Sequence, residues 1–239
     1  MDKIKRLQEL IDSHSRIVFF GGAGVSTESG LPDFRSVDGL YHQKYDWPPE
    51  TILSHSFFVT HTEEFYRFYR DKLLVKVLPN AAHKKLAELE AAGKLTAVVT
   101  QNIDGLHQAG GSKKVYELHG SIHRNYCTRC GAFYDASYMA QTTGIPRCEK
   151  CGGLIKPDVV LYEEGLDQAT IDGAVSAIQN ADMMIVGGTS LVVYPAAGLI
   201  SYFHGDTTVL INKGETGMDS RADLVITDPI GEVLQQIKV

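Results

Sequence analysis

Four cysteines form two pairs, Cys127 with Cys130 and Cys148 with Cys151, and seventeen residues separate the pairs. Thiolates at such a spacing can surround one Zn²⁺ as a tetrahedron, which leaves no coordination position open for a substrate. Two disulfides or a redox-active pair are the alternatives. Disulfide frameworks are typical of small secreted chains, however, and a redox pair would use only half of the thiols. The pattern therefore predicts one structural zinc site.

A glycine-rich turn, residues 21–26 with the sequence GGAGVS, follows an apolar run at residues 16–20. Glycines at such a turn let backbone N–H groups approach a diphosphate at the start of a helix. Dehydrogenases carry a third glycine where this chain has Thr27, so a turn that serves only the fold is an equal alternative. The residues that follow include Phe34, whose ring could face a flat ligand, and Arg35, whose guanidinium could bind phosphate. These side chains indicate a loop that covers the bound ligand as a lid.

Two further polar segments follow predicted strands. Gln101, Asn102 and Asp104 come after a strand at residues 95–100, where amide and carboxylate groups can bind ribose hydroxyls or a carboxamide. A helix N-cap would explain Asp104 alone. His119 follows the next predicted strand, and an imidazole there could take a proton from a sugar hydroxyl, although a single histidine is more often structural.

The elements that must position these groups indicate an α/β fold. Short β-branched and apolar runs predict buried parallel strands, and helical patterns near residues 80–92, 167–180 and 195–204 lie between them. We therefore predict a doubly wound, Rossmann-like parallel sheet that binds ligands at the carboxyl ends of its strands. The predicted strands are 16–20, 95–100, 114–118, 183–186, 207–211 and 224–227.

Two insertions interrupt this alternation and predict a second, smaller domain. An aromatic-rich helical insertion covers residues 36–78, and a zinc-ribbon module with the cysteines covers residues 121–156. The Rossmann-like domain then comprises residues 1–35, 79–120 and 157–239. We interpret the aromatic stripe of the first insertion as a core face rather than a cofactor site.

Composition argues against two classes of partner. The net charge is −6 over 239 residues, and no dense cluster of lysine and arginine suggests a surface for nucleic acid. Residues 183–205 carry no formal charge and could span a bilayer by length, but glycines and a Tyr-Pro step interrupt them, so we predict no membrane segment. The start of the chain lacks the apolar run of a secretory signal, and we expect a cytoplasmic protein.

The ordered motifs resemble those of the sirtuins, the NAD-dependent protein-lysine deacylases. The resemblance covers about residues 15–228 and implies the predicted fold, NAD as a co-substrate, one structural Zn²⁺, and acetylated lysine-containing proteins or peptides as partners. The matching segments are GAGVS at residues 22–26, GLPDFR at 30–35, TQNIDGLH at 100–107, ELHG at 117–120, the two cysteine pairs, GTSL at 188–191 and NKGET at 212–216.

The resemblance also implies roles for individual residues. His119 would be the catalytic base, and Asn102 would lie beside the reacting ribose. The peptide would pair as an added strand with Val159, Val160, Leu161 and Tyr162. The groups around NAD would be Gly22, Ala23, Gly24, Thr27, Phe34 and Arg35 at the diphosphate and nicotinamide ribose, Gln101, Ile103 and Asp104 at the nicotinamide, and Gly188, Thr189, Ser190, Asn212, Lys213 and Gly214 at the adenosine side.

In the chemistry that the resemblance implies, the amide oxygen of an acetyl-lysine attacks the nicotinamide ribose and nicotinamide leaves. His119 then helps a ribose hydroxyl to attack the acyl carbon, which yields free lysine and O-acetyl-ADP-ribose. Tyr162 and Glu163 stand where the family usually has Phe and Gly, which puts the local shape of the cleft in doubt. Tyr69 stands where the desuccinylating branch has an arginine, and although a one-residue shift could bring Arg70 inward, we expect acetyl-lysine to be preferred over succinyl-lysine.

Three other functions fit parts of this pattern. Mono-ADP-ribosyl transfer would use the same residues with a protein nucleophile. A zinc-ribbon module that only senses nucleotide would leave His119 without a purpose. A hydride-transferring dehydrogenase is disfavoured by Thr27 and by the lack of a separate substrate domain. We therefore predict an NAD-dependent protein-lysine deacetylase.

Overall fold

The computed structural model describes residues 2–33 and 46–239, so Phe34 and Arg35 of the predicted lid lie outside the described residues. The strands are β1 (Ile17–Gly21), β2 (Leu95–Thr100), β3 (Val115–Glu117), β4 (Gly120–Cys127), β5 (Phe133–Tyr134), β6 (Ile155–Val159), β7 (Met183–Gly187), β8 (Thr207–Ile211) and β9 (Leu224–Ile226). The α-helices are α1 (Lys3–Ser13), α2 (Pro49–Ile52), α3 (His55–Thr60), α4 (Thr62–Phe68), α5 (Ala81–Ala91), α6 (Leu106–Ala109), α7 (Ala136–Gln141), α8 (Gln168–Gln179) and α9 (Ile230–Leu234).

The large sheet has six parallel strands in the order β3-β2-β1-β7-β8-β9. Every residue of β1 and β7 is buried, as near-continuous apolar runs predict for strands that are covered on both faces. Strands β2 and β3 lie on one side of β1, and the later strands β7, β8 and β9 lie on the other side. The strand order therefore reverses between β1 and β7, where a crevice opens at the carboxyl ends. The predicted doubly wound sheet is confirmed.

Alternate side chains of β1 pack into different layers. Phe19 lies in the core formed with α1, α5 and α9, whereas Val18 and Phe20 lie in the core formed with α8 and the residues after β7. The helix predicted over residues 195–204 is a 3₁₀-helix over Ala196–Tyr202, where Gly198 N donates to Pro195 O at 3.0 Å. Among the helices named above, none is both long enough and apolar enough to cross a bilayer.

The second sheet and the helical insertion share a hydrophobic core of their own, and we call this unit the small domain and the unit built on the six-stranded sheet the large domain. The second sheet is antiparallel with the order β5-β4-β6, and β4 begins at Gly120 while β6 ends at Val159, beyond the limits of residues 121–156 predicted for the cysteine module. The aromatic stripe packs against this sheet, which confirms its interpretation as a core face. Its members, all at most 5 % exposed, are Phe57, Phe58, Phe65, Tyr66, Phe68 and Tyr69.

Two histidines are buried together beside the start of α5. The ring centroids of His83 and His107 are 4.8 Å apart, and both side chains are almost fully buried. Asn80 N donates to His83 Nδ1, but within residues 2–33 and 46–239 neither His83 Nε2 nor either ring nitrogen of His107 has a hydrogen-bond partner. Burial lowers the pKa of His83 to about 4 and that of His107 to about 3, so both rings are neutral near pH 7.

We predict that mild acid weakens the fold through this histidine pair. The unfolded chain binds a proton at each ring as the pH falls through about 6.5, whereas the folded rings stay neutral until about pH 4 and about pH 3. Because the unfolded state then binds more protons, the free energy of unfolding should fall by on the order of 1 kcal/mol per histidine and per pH unit below about pH 6.

Urea unfolding at roughly pH 7, 6 and 5 measures this dependence. A His107→Leu variant should show a shallower slope of unfolding free energy against pH, whatever its absolute stability. A His204→Leu variant, which changes an exposed histidine, should keep the slope of the native chain. Equal slopes for all three proteins would contradict the prediction.

Candidate active site at the domain junction

A cavity of about 960 Å³ lies at the carboxyl ends of β1 and β7, where residues of both domains line it. It brings together every described residue that the sequence predicts for catalysis, NAD or the peptide. This convergence follows because parallel strands present their carboxyl ends at one edge of the sheet. These residues are Gly22, Ala23, Gly24, Thr27, Gln101, Asn102, Ile103, Asp104, His119, Val159, Val160, Leu161, Tyr162, Gly188, Thr189, Ser190, Asn212, Lys213 and Gly214.

The glycine-rich turn packs directly on the turn that follows β7. Gly24 N donates to Gly188 O at 2.8 Å, and a Cβ on Gly24 would lie 2.8 Å from Gly188 backbone atoms. Gly188 has a φ of 58°, in the left-handed region that favours glycine. Close approach of the two backbones therefore requires glycine at both positions. This packing explains the glycine at position 24 in addition to the approach of a phosphate that the sequence suggested.

His119 is held by the backbone that follows β2. Leu118 N donates to Thr100 O at 2.9 Å, and His119 Nδ1 lies 2.9 Å from Gln101 O. A carbonyl oxygen can only accept, so Nδ1 carries the hydrogen and Nε2 of the neutral ring keeps its lone pair. Burial lowers the pKa of His119, although the bond to Gln101 opposes this shift. The ring is therefore neutral near pH 7 and can accept a proton at Nε2.

A hydrogen-bond network joins the glycine-rich turn to the segment after β2. Ser26 Oγ donates to Asp104 Oδ2 at 2.6 Å, and Asn102 Nδ2 donates to Ser26 Oγ at 3.1 Å. Leu106 N also donates to Asp104 Oδ1 at 2.9 Å, which orders the turn before α6, but the N-cap of that helix is Gly105 and not Asp104. Ser26 was not among the predicted site residues, and its place directly after GAGV was the only sequence signal for it.

Short polar contacts also shape the other end of the cavity. Gln101 Nε2 donates to Thr189 Oγ1 at 3.1 Å, which connects the segments after β2 and β7. Asn212 Nδ2 donates to Gly214 O at 2.7 Å, which orders the turn after β8. Three strand ends thus contribute polar groups to one continuous wall.

The four cysteine thiols converge in the small domain, and none of them lines the cavity. Their Sγ atoms all lie within 4.8 Å of one another, with 3.4 Å between Cys127 and Cys151 and 3.6 Å between Cys130 and Cys148. A disulfide requires about 2 Å between sulfurs, whereas thiolates bound about 2.3 Å from one Zn²⁺ lie about 3.8 Å apart. The geometry therefore fits tetrahedral Zn²⁺ and excludes the disulfide alternative. The Tyr134 hydroxyl, which the sequence did not single out, donates to Cys148 Sγ.

Comparisons with known proteins point to one family. A sequence profile described as the Sir2 family matches residues 22–195 of this chain. The chain is 61% identical to the NAD-dependent protein deacetylase of Clostridium acetobutylicum and 59% identical to that of Clostridium perfringens, over 99% of this chain and 98% of each relative. This chain belongs to the Sir2 family, the sirtuins.

Solved Sir2 structures have the same fold as this sirtuin. A complex of Sir2 with a p53 peptide and NAD⁺ is 40% identical, has a TM-score of 0.87, and is matched over 98% of this chain and 96% of that chain. A Sir2 variant with deacetylated p53 peptide and 3′-O-acetyl ADP-ribose is 39% identical, with a TM-score of 0.90 and the same coverage. The predicted family and its fold are confirmed.

In this sirtuin, the segment predicted to bind peptide is attached to both domains. Val160 N donates to His119 O at 3.0 Å, which fixes the segment beside the histidine. Tyr162 N donates to Leu53 O at 2.9 Å, which connects the same segment to the helical insertion. The Tyr162 ring is 39 % exposed at the edge of the cavity, where it can contact an incoming chain.

Glu163 occupies the position where sirtuins usually have glycine. Its φ is 77°, in the left-handed region that glycine adopts without strain. Its carboxylate accepts hydrogen bonds from Ser56 N at 2.8 Å and Ser56 Oγ at 2.6 Å, in the first turn of α3. These bonds compensate for the backbone strain and also satisfy an N–H group at the start of a helix.

Helix α4 and the π-helix that follows it (Tyr69–Leu73) place a lysine, Lys72, but no arginine in the cavity. Tyr66 donates its hydroxyl hydrogen to Ile155 O, and Tyr69 OH donates to Ile122 O at 3.2 Å. Arg70 Nη2 donates to Gly144 O at 2.6 Å, so the guanidinium turns toward the zinc module rather than inward.

We therefore predict a preference for acetyl-lysine over succinyl-lysine. A succinyl carboxylate would enter the cavity without the arginine that neutralises it, and Lys72 on the cavity wall already pairs with Asp71, with Nζ 3.2 Å from Oδ2. Burial of a charge that lacks a dedicated partner is unfavourable. With one peptide carrying either group, kcat/KM for the acetyl form should exceed that for the succinyl form by about tenfold or more. A side-by-side assay of NAD consumption measures the ratio, and a higher value for the succinyl peptide would refute the prediction.

Proposed function

We propose that this protein is an NAD-dependent protein-lysine deacetylase that releases nicotinamide, free lysine and O-acetyl-ADP-ribose. One observation carries the proposal: His119, with Nε2 able to accept a proton, shares a cavity with the glycine-rich turn and the polar segment after β2. Similarity to bacterial proteins named NAD-dependent protein deacetylases, over nearly the whole chain, supports the same activity.

The residues along the cavity suit the successive parts of NAD, which as a bound co-substrate supplies the glycosidic bond that is cleaved and the ribose that receives the acyl group. The cavity, about 960 Å³, is large enough to enclose most of a dinucleotide. Its contacts would be Gly22, Ala23, Gly24 and Thr27 with Phe34 and Arg35 at the diphosphate and adjoining ribose, Gln101, Ile103 and Asp104 at the nicotinamide, and Gly188, Thr189, Ser190, Asn212, Lys213 and Gly214 at the adenosine.

His119 is the catalytic base in this proposal. The bond from Nδ1 to Gln101 O orients the ring, and neutral Nε2 takes the proton of a ribose hydroxyl as that oxygen attacks the acyl carbon. Asn102 is 8 % exposed and is oriented by Ser26, which would hold its amide beside the reacting ribose. A fixed amide costs no reorganisation when the reaction occurs.

The protein substrate is an acetylated lysine in an extended segment. Backbone pairing with the Val159–Tyr162 segment would present the lysine to the cavity with little dependence on flanking sequence, because main-chain hydrogen bonds carry the affinity. We place the reaction in the cytoplasm, since four thiols that bind Zn²⁺ must stay reduced.

Incubation of the purified protein with NAD and an acetylated peptide tests the proposal. Mass spectrometry should find deacetylated peptide, nicotinamide and O-acetyl-ADP-ribose in equal amounts. Omission of NAD should leave the peptide acetylated. If a protein or peptide instead gained an ADP-ribose group while its lysine stayed acetylated, the protein would be a mono-ADP-ribosyl transferase and the proposal would be wrong.

A further inference from the structure

The strand β4 contains an irregularity that the proposed function does not explain. Ser121 of β4 pairs with Asp158 of β6, but the next paired residue of β4 is Asn125, opposite Pro157. Residues 122–124 are thus inserted on one strand between adjacent residues of the other. Bulges redirect side chains and are common beside active sites, so these three residues merit a functional explanation.

The first two inserted residues bind consecutive carbonyl groups of the large domain. Ile122 N donates to Ile103 O at 3.0 Å, and His123 Nε2 lies 2.9 Å from Asp104 O. Because a carbonyl oxygen can only accept, Nε2 of His123 carries the hydrogen. The bulge therefore forms two hydrogen bonds with the backbone of the segment that follows β2 and lines the cavity.

The His123 ring also covers Gly105, the residue after Asp104. Gly105 has a φ of 69°, and a Cβ there would lie 2.6 Å from Cδ2 of the ring. The turn and the imidazole are therefore in direct contact as well as hydrogen-bonded. Two independent restraints, one polar and one steric, act on the same turn.

The third inserted residue anchors the bulge itself. Arg124 Nη1 donates to Glu117 Oε2 at 2.7 Å, and Arg124 Nε donates to Asp158 Oδ2 at 2.7 Å. Glu117 ends β3 of the large sheet and Asp158 belongs to β6 of the small sheet. The guanidinium thus connects the two domains on either side of the bulge, and it limits how far His123 can move.

We infer that His123 is a positioning residue that holds the Asp104–Gly105 turn and so fixes the nicotinamide end of the cavity. The inference rests on the proposed function, because only NAD bound in that orientation brings nicotinamide to this turn. Movement of the turn would also shift the Asp104 carboxylate away from Ser26 Oγ. Because Ser26 Oγ accepts a hydrogen bond from Asn102, the Asn102 amide would lose its fixed orientation as well. His123 itself does not line the cavity, so it would touch none of the reacting groups.

Three variants test the inference on the zinc-loaded chain of 239 residues. His123→Phe keeps a ring over Gly105 but removes the hydrogen-bond donor, and His123→Gln restores a donor at similar reach. As a control, His204→Phe makes the same change at an exposed histidine that does not line the cavity. We expect His123→Phe to raise the Kd for NAD and the inhibition constant of nicotinamide by about threefold to tenfold, the factor for one net hydrogen bond. His123→Gln should recover most of this loss, and His204→Phe should match the native protein.

The KM for acetylated peptide and the melting temperature should change little in His123→Phe, which separates positioning of the turn from general damage to the fold. The inference is overturned if the NAD and nicotinamide constants stay unchanged, or if the peptide KM rises by the same factor as the NAD constant. NAD affinity is measured by calorimetry without turnover. Failure of the inference therefore remains distinct from failure of the wild-type protein to deacetylate a peptide.

A double-mutant cycle provides a second measurement, which tests the contact between the His123 ring and Gly105. Gly105→Ala should weaken NAD binding through its strained φ and through collision with the His123 ring. In a His123→Ala background the collision is absent while the φ strain remains, so the additional loss caused by Gly105→Ala should be smaller. Additive losses would show that the ring does not restrain the turn and would overturn the inference.

Discussion

Replacement of His119 by alanine is expected to lower kcat for peptide deacetylation by about a hundredfold to ten-thousandfold, the usual contribution of a positioned general base. The physical reason is specific to one atom. Nδ1 is fixed by Gln101 O, so Nε2 alone can accept the ribose proton, and alanine leaves no group in its place. Initial rates at saturating NAD and peptide measure the change.

The same variant should separate two steps of the reaction. In the proposed mechanism His119 acts after the glycosidic bond has broken, so exchange of labelled nicotinamide into NAD should be reduced much less than deacetylation. A His204→Ala variant provides the matched control at an exposed histidine and should behave as the native protein. If His119→Ala lost less than about tenfold in kcat, the assignment of the base would be wrong.

Removal of zinc is expected to have the largest effect on stability. Binding of structural Zn²⁺ contributes about 10–16 kcal/mol in zinc-finger peptides, because the site does not exist in the unfolded chain. Here Cys127 and Cys148 are also part of the core that the aromatic insertion shares with the small sheet. Loss of the metal should therefore unfold the small domain and, since β4 carries both Cys127 and the bulge, abolish activity.

A chelator titration followed by circular dichroism and by the deacetylation assay measures this effect. The matched control is the same chelator saturated with zinc beforehand, which should leave the protein unchanged. Metal analysis of the purified protein should give one zinc per chain, and added Zn²⁺ under reducing conditions should restore activity. Full activity after complete removal of zinc would show that the metal is not needed for the fold.

The sheet was predictable because its physical signal is local. Strands that are buried on both faces need apolar residues at every position, and such runs can be recognised without knowledge of their neighbours. The convergence of Gly24, Asp104, His119 and Asn212 at one cavity then followed from topology, since parallel strands present their carboxyl ends together. The cysteine site was predictable from spacing alone.

Other features depend on contacts between distant residues and leave no local signal. The need for glycine at position 24 comes from Gly188, 164 residues later, and the free nitrogen of His119 is decided by a backbone carbonyl, Gln101 O. The sequence predicted neither the bulge in β4 nor the hydrogen bonds that Ser56 donates to Glu163. The first two need the large domain to be folded, and the last two need the two domains to be in contact, before their physical reason exists.

The central claim is that the cavity brings a glycosidic bond of NAD and an acetyl-lysine together so that the acetyl group passes to ribose. The most direct measurement uses a peptide whose acetyl carbonyl carbon carries ¹³C, with nicotinamide release followed in the same sample. We expect one labelled acetyl group on ADP-ribose for each nicotinamide released. Label recovered from the start as free acetate, with NAD unconsumed, would contradict it.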